Sequence, residues 1–300
     1  MWTIFEQIVI LLIFVAVGYT LGKTNIVKPE HSKVLSCLLV YVFLPCSIYK
    51  TFASRFNVPY ISANWIAIVV SSVIVVVLAV AAFFFVKICT KDKYERRVFE
   101  YSAIVPNSGY IGIAVATAVF DEIGLMTFMI MALPLQIYIY TYGFAILTKR
   151  GINFKKLINP VIIATALGMV IGLLEIKTPE LVGVVLESSS GCMAPVSMLL
   201  TGIAISEFKI KDIVLNPKIY PIIAIKLLVI PLAIGFILKG FCDARLVAVA
   251  VLLYALPCGM NSVVFPKLVG EDCRSGAGLS LVSTILSVLT VPLIFYIFGF

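Results

Sequence analysis

Charge is what this chain has least of. Only 13% of its 300 residues are Asp, Glu, Lys or Arg, and histidine occurs once, at His31. The apolar share is 62% with a mean hydropathy of +1.13, whereas about half is usual for a soluble domain. So little charge cannot cover a soluble surface, and a polytopic membrane protein is expected. The 7 cysteines (37, 46, 89, 192, 242, 258 and 273) are scattered, with no CxxC or Cys/His spacing. That argues against a disulfide framework and a metal site, and leaves most of them as small buried hydrophobes. The absence of a Walker motif or long polar segment excludes an ATP-driven pump within this chain. No Ser/His/Asp, metal or paired-carboxylate constellation falls in the apolar runs, so no enzyme, catalytic residue or cofactor is expected. No Lys or Arg precedes the first apolar run and no small-residue cleavage site follows it, so no removable signal peptide is expected.

What the chain has instead is long apolar runs. About 20 such residues cross a bilayer as a helix. Ten spans are read, at 4–22, 34–53, 63–87, 97–119, 123–147, 158–175, 181–205, 217–238, 245–268 and 276–298. The net charge of +8 invites a nucleic-acid reading, yet no basic face with interleaved aromatics exists. The loops after odd-numbered spans and their edges hold 17 of the 23 Lys and Arg residues. Such topogenic charge makes those loops cytoplasmic and puts both termini outside, with the lipid bilayer and not nucleic acid as partner.

The chain also repeats. A shift of 150 residues aligns Gly18 with Gly168, Gly22 with Gly172, Pro29 with Pro179, Glu30 with Glu180, Pro45 with Pro195 and Ser47 with Ser197. A shift of 151 pairs Pro106 with Pro257. Matches at Gly and Pro in one register point to duplication. Five spans is an odd number, so the second copy must insert upside down. The expected fold is all-α, ten transmembrane helices in two inverted repeats, 1–148 and 149–300, which is a secondary-transporter architecture.

Two stretches interrupt their spans at equivalent places. One runs through Pro106, Asn107, Ser108, Gly109, Tyr110 and Gly112; the other through Pro257, Cys258, Gly259, Met260, Asn261 and Ser262. Proline removes a backbone donor and glycine tolerates unusual dihedrals, so each span reads as helix, unwound segment, helix. Non-helical backbone at membrane depth survives only in protein or beside a cavity. A helix restarting near the midplane offers free N–H groups and partial positive charge, which suits an anion. Ser108, Gly109 and Tyr110 supply such donors in one copy, and Gly259, Met260 and Asn261 in the other. Asn107 and Asn261 add side-chain amides, and Pro106 and Pro257 are the candidate hinges. A single proline often only kinks a packed helix; two in equivalent positions, each with Gly and Asn, favour the site.

Lys226 is the one charge well inside a span, and an intramembrane ionisable residue is a functional candidate by default. It can attract an anion or move with a gate, or its stem can snorkel to the cytoplasmic edge. Glu100 at the inner start of span 4 can titrate there, Ser262 and Asn261 can help hold sodium, and Asp121 and Glu122 read as helix caps.

These motifs resemble those of the auxin efflux carrier family. The Pro106–Gly112 run is similar to its span-4 motif, and the run from Ala255 through Pro257, Gly259 and Phe265 to Lys267 to its span-9 motif. Leu44 with Pro45 in span 2, and Asn159 with Pro160 opening span 6, fit as well. The likeness covers the whole chain, and the family sits in the group that holds the bile acid–sodium symporters. It implies crossing broken helices 4 and 9, a homodimer built on spans 1, 2, 6 and 7, and transport of small organic anions such as malate, malonate or an auxin. It places substrate contacts at Leu44, Asn107 and Met260, beside Cys258, where the family has glutamine. That cysteine, Val161 where plant members have a second Asn, and the missing regulatory loop argue for a compact bacterial type.

The sequence therefore predicts a carrier for a small organic anion working by elevator-like alternating access, coupled to H⁺, Na⁺ or neither. A sodium-coupled symporter of the bile-acid type is the alternative within the fold. An anion channel or non-transporting sensor is the alternative outside it.

Overall fold

The computed structural model describes residues 2–28, 31–112, 115–116, 119–149, 160–207, 209, 211 and 214–300. Among them every regular element is helical. The first is α1 (Trp2–Lys23). α2 runs over 32–55, as Ser32–Leu38, a π-helical turn Leu39–Phe43, and Leu44–Arg55. α3 (Trp65–Cys89) and α4 (Lys93–Ile104) follow. α5 comprises Glu122–Tyr138, a π-turn Ile139–Gly143, and Phe144–Leu147. Then come α6 (Pro160–Leu173) and α7, made of Glu180–Gly191 and Met193–Ser206. α8 (Ile219–Leu238) has its own π-turn at Ile225–Val229. The last are α9 (Ala244–Ala255), α10 (Asn261–Val269) and α11 (Arg274–Phe298).

Six of these stretches are long and apolar enough to cross a membrane: Ser32–Ser54, Trp65–Cys89, Ile123–Leu147, Glu180–Ser206, Ile219–Leu238 and Arg274–Phe298. They coincide with six of the ten expected spans. Two of the other four are the proline-broken pair. The remaining two correspond to α1 and α6, and much of the approach to α6 lies outside the described residues.

Local sequence explains the irregularities. The π-turns of α2 and α8 sit directly before the helical turns that carry Pro45 and Pro231. Proline cannot donate to the carbonyl four residues back and its ring crowds that carbonyl, so the helix widens there. Helix starts are capped by aspartates. Asp92 accepts from Tyr94 N and Glu95 N at 2.9 and 2.7 Å, Asp121 from Gly124 N at 2.8 Å, and Asp243 from Leu246 N at 3.0 Å. Asp92 and Asp243, 151 positions apart, start the two helices that lead into the proline breaks.

Packing repeats in the same register. α1 lies on the Met193–Ser206 half of α7, and α6 lies on the Leu44–Arg55 half of α2. Glycines set both approaches. A Cβ on Gly18 would fall 2.2 Å from the Leu199 carbonyl oxygen, and one on Gly168 would fall 3.0 Å from that of Tyr49. At Gly22 it would strike Ser206 and at Gly172 the Phe56 carbonyl. Each neighbour, like each glycine, is 150 positions from its counterpart. Likewise α3 packs on α4 and α5, and α8 on α9 and α11. The core is α9, buried at every position from Leu246 to Ala255, with the last turns of α4 and most of α10 around it. The outside is inverted relative to a soluble protein: α3 presents exposed Val69, Val73, Val76, Val80 and Phe84 to its surroundings. Such a face suits hydrocarbon.

Candidate functional site

α4 ends at Ile104 and α9 at Ala255, each just before its proline. The two extended segments then pair antiparallel through a single bridge, Pro106 to Cys258. Asn107 N donates to the Pro257 carbonyl at 2.8 Å, and Gly259 N to the Val105 carbonyl at 2.9 Å. Backbone groups freed by the breaks are thus satisfied by each other, which is how irregular backbone stays buried. Glycine suits position 259, because a Cβ there would lie 3.0 Å from Val105 Cγ1 and 3.3 Å from its carbonyl oxygen, a tight contact that the neighbours would have to relieve by a few tenths of an ångström. After the bridge the chain turns back into helix, at Ser108–Gly112 on one side and at α10 on the other.

Beside this pairing is a void of about 30 Å³, lined by Val105, Pro106, Asn107, Ser108 and Gly109, by Gly259, Met260 and Asn261, and by Gln136, Ile139, Tyr140 and Met193. Its polar lining is unusual. Asn107 is 2% exposed, yet neither Oδ1 nor Nδ2 has a protein partner. Asn261, 7% exposed, leaves Oδ1 unpaired, and Gln136 Oε1 is buried and unpaired as well. Buried polar atoms are normally hydrogen-bonded, since each orphan costs about 1–3 kcal/mol. Three amides sharing that debt around one void mark a place built for something polar.

Of the residues singled out by sequence, Asn107, Ser108, Gly109, Gly259, Met260 and Asn261 meet at this void together with Pro106. The Gly259 N–H, expected as a free donor, is spent on Val105; the close crossing of two backbones takes it before any ligand can. Leu44 and Cys258 are buried outside the lining. Leu44 belongs to the apolar core, and the Cys258 N–H is held by Ser283 Oγ at 3.0 Å. The Tyr110 side chain lies outside the described residues. Ser262 Oγ donates to the Gly259 carbonyl at 2.9 Å and sits 3.4 Å from Ser280 Oγ, in the tight contact of α10 with α11. Sequence reasoning missed Gln136. The available signal was a lone uncharged amide inside the apolar run 123–147, overshadowed by the prolines.

Lys226 does not snorkel. It is 0% exposed, lies 5.6 Å from the Tyr254 ring centroid, and donates from Nζ to the Ile104 carbonyl at 3.2 Å. In an unbroken helix that carbonyl would receive a backbone N–H from the next turn. The break removes it, and the lysine Nζ takes its place as donor to the end of α4. Glu100 is also buried, accepting from Tyr142 Oη at 3.0 Å, away from the void. Among the described residues no group of three or more His, Cys, Asp or Glu could hold a metal ion.

Long helices with apolar outer faces, packed around the place where two interrupted helices meet, define a multi-pass membrane protein. The chain belongs to the membrane transport protein family, whose family model matches residues 3–157 and 152–295. This is the family of the auxin efflux carriers, and the protein is accordingly a membrane transporter. It is similar to the uncharacterized transporter YfdV of Escherichia coli K12, 22% identical with 96% of this chain and 95% of the relative covered. It is also similar to the uncharacterized transporter MJ1031 of Methanocaldococcus jannaschii, 24% identical with 96% of both covered.

Proposed function

We propose that the protein is a secondary carrier that moves a small organic anion, a carboxylate, by elevator-like alternating access. The observation that carries this reading is the set of unpaired amide atoms of Asn107, Asn261 and Gln136 around the void at the crossing. An amide turned by 180° presents NH₂ where it presented oxygen, so these side chains can donate to a carboxylate, whereas the Ser262, Val263 and Val264 N–H groups in the first turn of α10 are already taken by the Gly259 and Met260 carbonyls. The void has room for about one water, so a substrate requires the two segments to part. Pro106 and Pro257 are the hinges for that motion.

Two further observations support ten spans in inverted repeats with crossing helices 4 and 9. The first is the packing of α1 on α7 and α6 on α2 through glycines 150 positions apart. The second is the ion pairs. Lys149–Glu271, Lys218–Glu95 and Lys267–Glu207 each join segments assigned to the cytoplasmic side, and Arg245–Asp121 and Lys50–Glu187 join segments near the outer side. A wrong span count would pair opposite faces. The reading also includes a homodimer through α1, α2, α6 and α7, and termini outside.

The unpaired acceptors favour one second reading. Oδ1 of Asn107, Oδ1 of Asn261 and Oε1 of Gln136 are all oxygens, the donor type a sodium ion takes, so sodium-coupled uptake is the rival within the same fold. Thermal unfolding of the detergent-solubilised protein with mono-, di- and aromatic carboxylates, each with and without sodium, decides between them. A carboxylate at about 100 times its dissociation constant stabilises by about 2.7 kcal/mol. Stabilisation by a carboxylate without sodium supports the carrier, and stabilisation that requires sodium supports the symporter. Stabilisation only by cations or neutral solutes refutes both.

A further inference from the structure

The geometry points to a second ligand site, for an anionic phospholipid, at the ends of α3, α4 and α5 that face the cytoplasm in the topology above. A slot of about 340 Å³ there is lined by Lys87, Arg96, Arg97 and Lys149, together with Glu100 and Tyr142. A shallower groove of about 360 Å³ continues from it, lined by Ala79, Val80, Phe83, Phe84 and Tyr138. Phe83, Glu100 and Tyr142 line both, so slot and groove are one feature with a basic end and an apolar end. Val80, Phe83 and Phe84 are exposed on the outer face of α3, and the groove opens to the hydrocarbon.

Charge complementarity selects the occupant. Lys149 is partly spent on Glu271 and the Tyr94 ring, and Arg96 Nε donates to the Thr90 carbonyl at 2.7 Å. Arg97, whose charge also acts on Glu100, and Lys87 carry the rest, and the Lys87 ammonium lies over the Phe83 ring at 3.8 Å, where slot becomes groove. Against four cations the lining holds one acid, Glu100, held by Tyr142. A phosphate with an attached acyl chain satisfies both ends, whereas a soluble anion leaves the groove unused.

The slot is not an entrance to the void. Tyr138, Tyr142 and Ala145 form one stripe of α5, with Lys149 in the turn just beyond its end, and the rings of Tyr138 and Tyr142 lie 5.5 Å apart. Gln136 and Tyr140, which line the void, lie on the opposite stripe of the same helix, as helical spacing requires.

The test measures apparent affinity by thermal shift and native mass spectrometry of the full chain in detergent. The probes are dioleoyl phosphatidylglycerol, dioleoyl phosphatidylcholine, glycerol phosphate and inorganic phosphate. Phosphatidylglycerol is expected to bind and stabilise, and the others not to. The double variant Lys87→Gln/Arg97→Gln should lose about 25-fold in affinity for it, at about 1 kcal/mol per cation. Equal stabilisation by phosphatidylcholine, or an unchanged double variant, overturns the site. An equal effect of inorganic phosphate or glycerol phosphate overturns the lipid assignment. If the double variant does not fold, Lys87→Gln alone decides, with about 5-fold expected and no change refuting.

Discussion

Replacing Asn107 should make the protein more stable and worse at its task. Both polar atoms of this side chain are buried without protein partners. Each orphan costs about 1–3 kcal/mol, and the neighbouring void of about 30 Å³ can hold about one water, which relieves only part of that. Asn107→Leu removes the orphans, and the void takes up some of the added volume. We expect the ligand-free unfolding midpoint to rise by a few degrees, the equivalent of about 1–3 kcal/mol. Binding should move the other way. A hydrogen bond to a charged group contributes about 1.5–3 kcal/mol, so Asn107→Ala and Asn107→Leu should weaken carboxylate affinity roughly 10- to 100-fold. Thermal unfolding gives the first quantity; ligand titration and flux into proteoliposomes give the second. A fall in the ligand-free midpoint of Asn107→Leu would mean that the amide serves the fold. Unchanged affinity would remove it from the site.

Three other outcomes follow from the same geometry. Lys226→Met should cost about 1–3 kcal/mol, because it leaves the buried Ile104 carbonyl without the Nζ donor that holds it; Lys226→Glu should lose about 3–5 kcal/mol by setting a carboxylate against that carbonyl. Reversed order of their unfolding midpoints would refute the capping role. Gly202→Ala, whose Cβ would lie 2.1 Å from the Val15 carbonyl oxygen, and Gly172→Ala, 2.5 Å from that of Phe52, should each cost about 1–3 kcal/mol. Gly183→Ala meets nothing within 4 Å and should be neutral or slightly stabilising; equal effects at all three would contradict the close helix contacts. Burial alone would raise the Glu95 carboxyl, but hydrogen bonds from Thr90, Lys218 and Ser275, with the Lys218 charge, outweigh it and hold the group below its ordinary 4.5. Its stabilisation is therefore complete above about that value and is lost as pH falls through the lower folded one. Wild type should lose more of its midpoint than Glu95→Gln on acidification, and parallel profiles would show that Glu95 does not contribute.

Elevator motion and lipid binding draw on different faces of α5, so the two proposals fail separately. The Gln136 stripe serves the void, and the Tyr142 stripe serves the surface. Gln136→Leu tests the first without touching the second.

Composition alone determined that this is a membrane protein, because no arrangement of 13% charged residues covers a soluble surface. The repeat register and the two proline breaks were also legible, since Gly and Pro act through backbone geometry that is local to their own positions. Asp121 was legible as a cap for the same reason. What happens between elements was not. Sequence assigned the Gly259 N–H to a ligand, yet only the crossing of two chains puts the Val105 carbonyl within its reach. For Lys226 the sequence allows both snorkelling and a functional role, and only the fold places the cut end of α4 against it, 122 residues away in the chain. Gln136 became part of a site only when α5 packed beside the bridge. Local rules fix where a helix must stop; which orphaned groups then find partners, and which are left facing a void, depends on distances that only the tertiary structure sets.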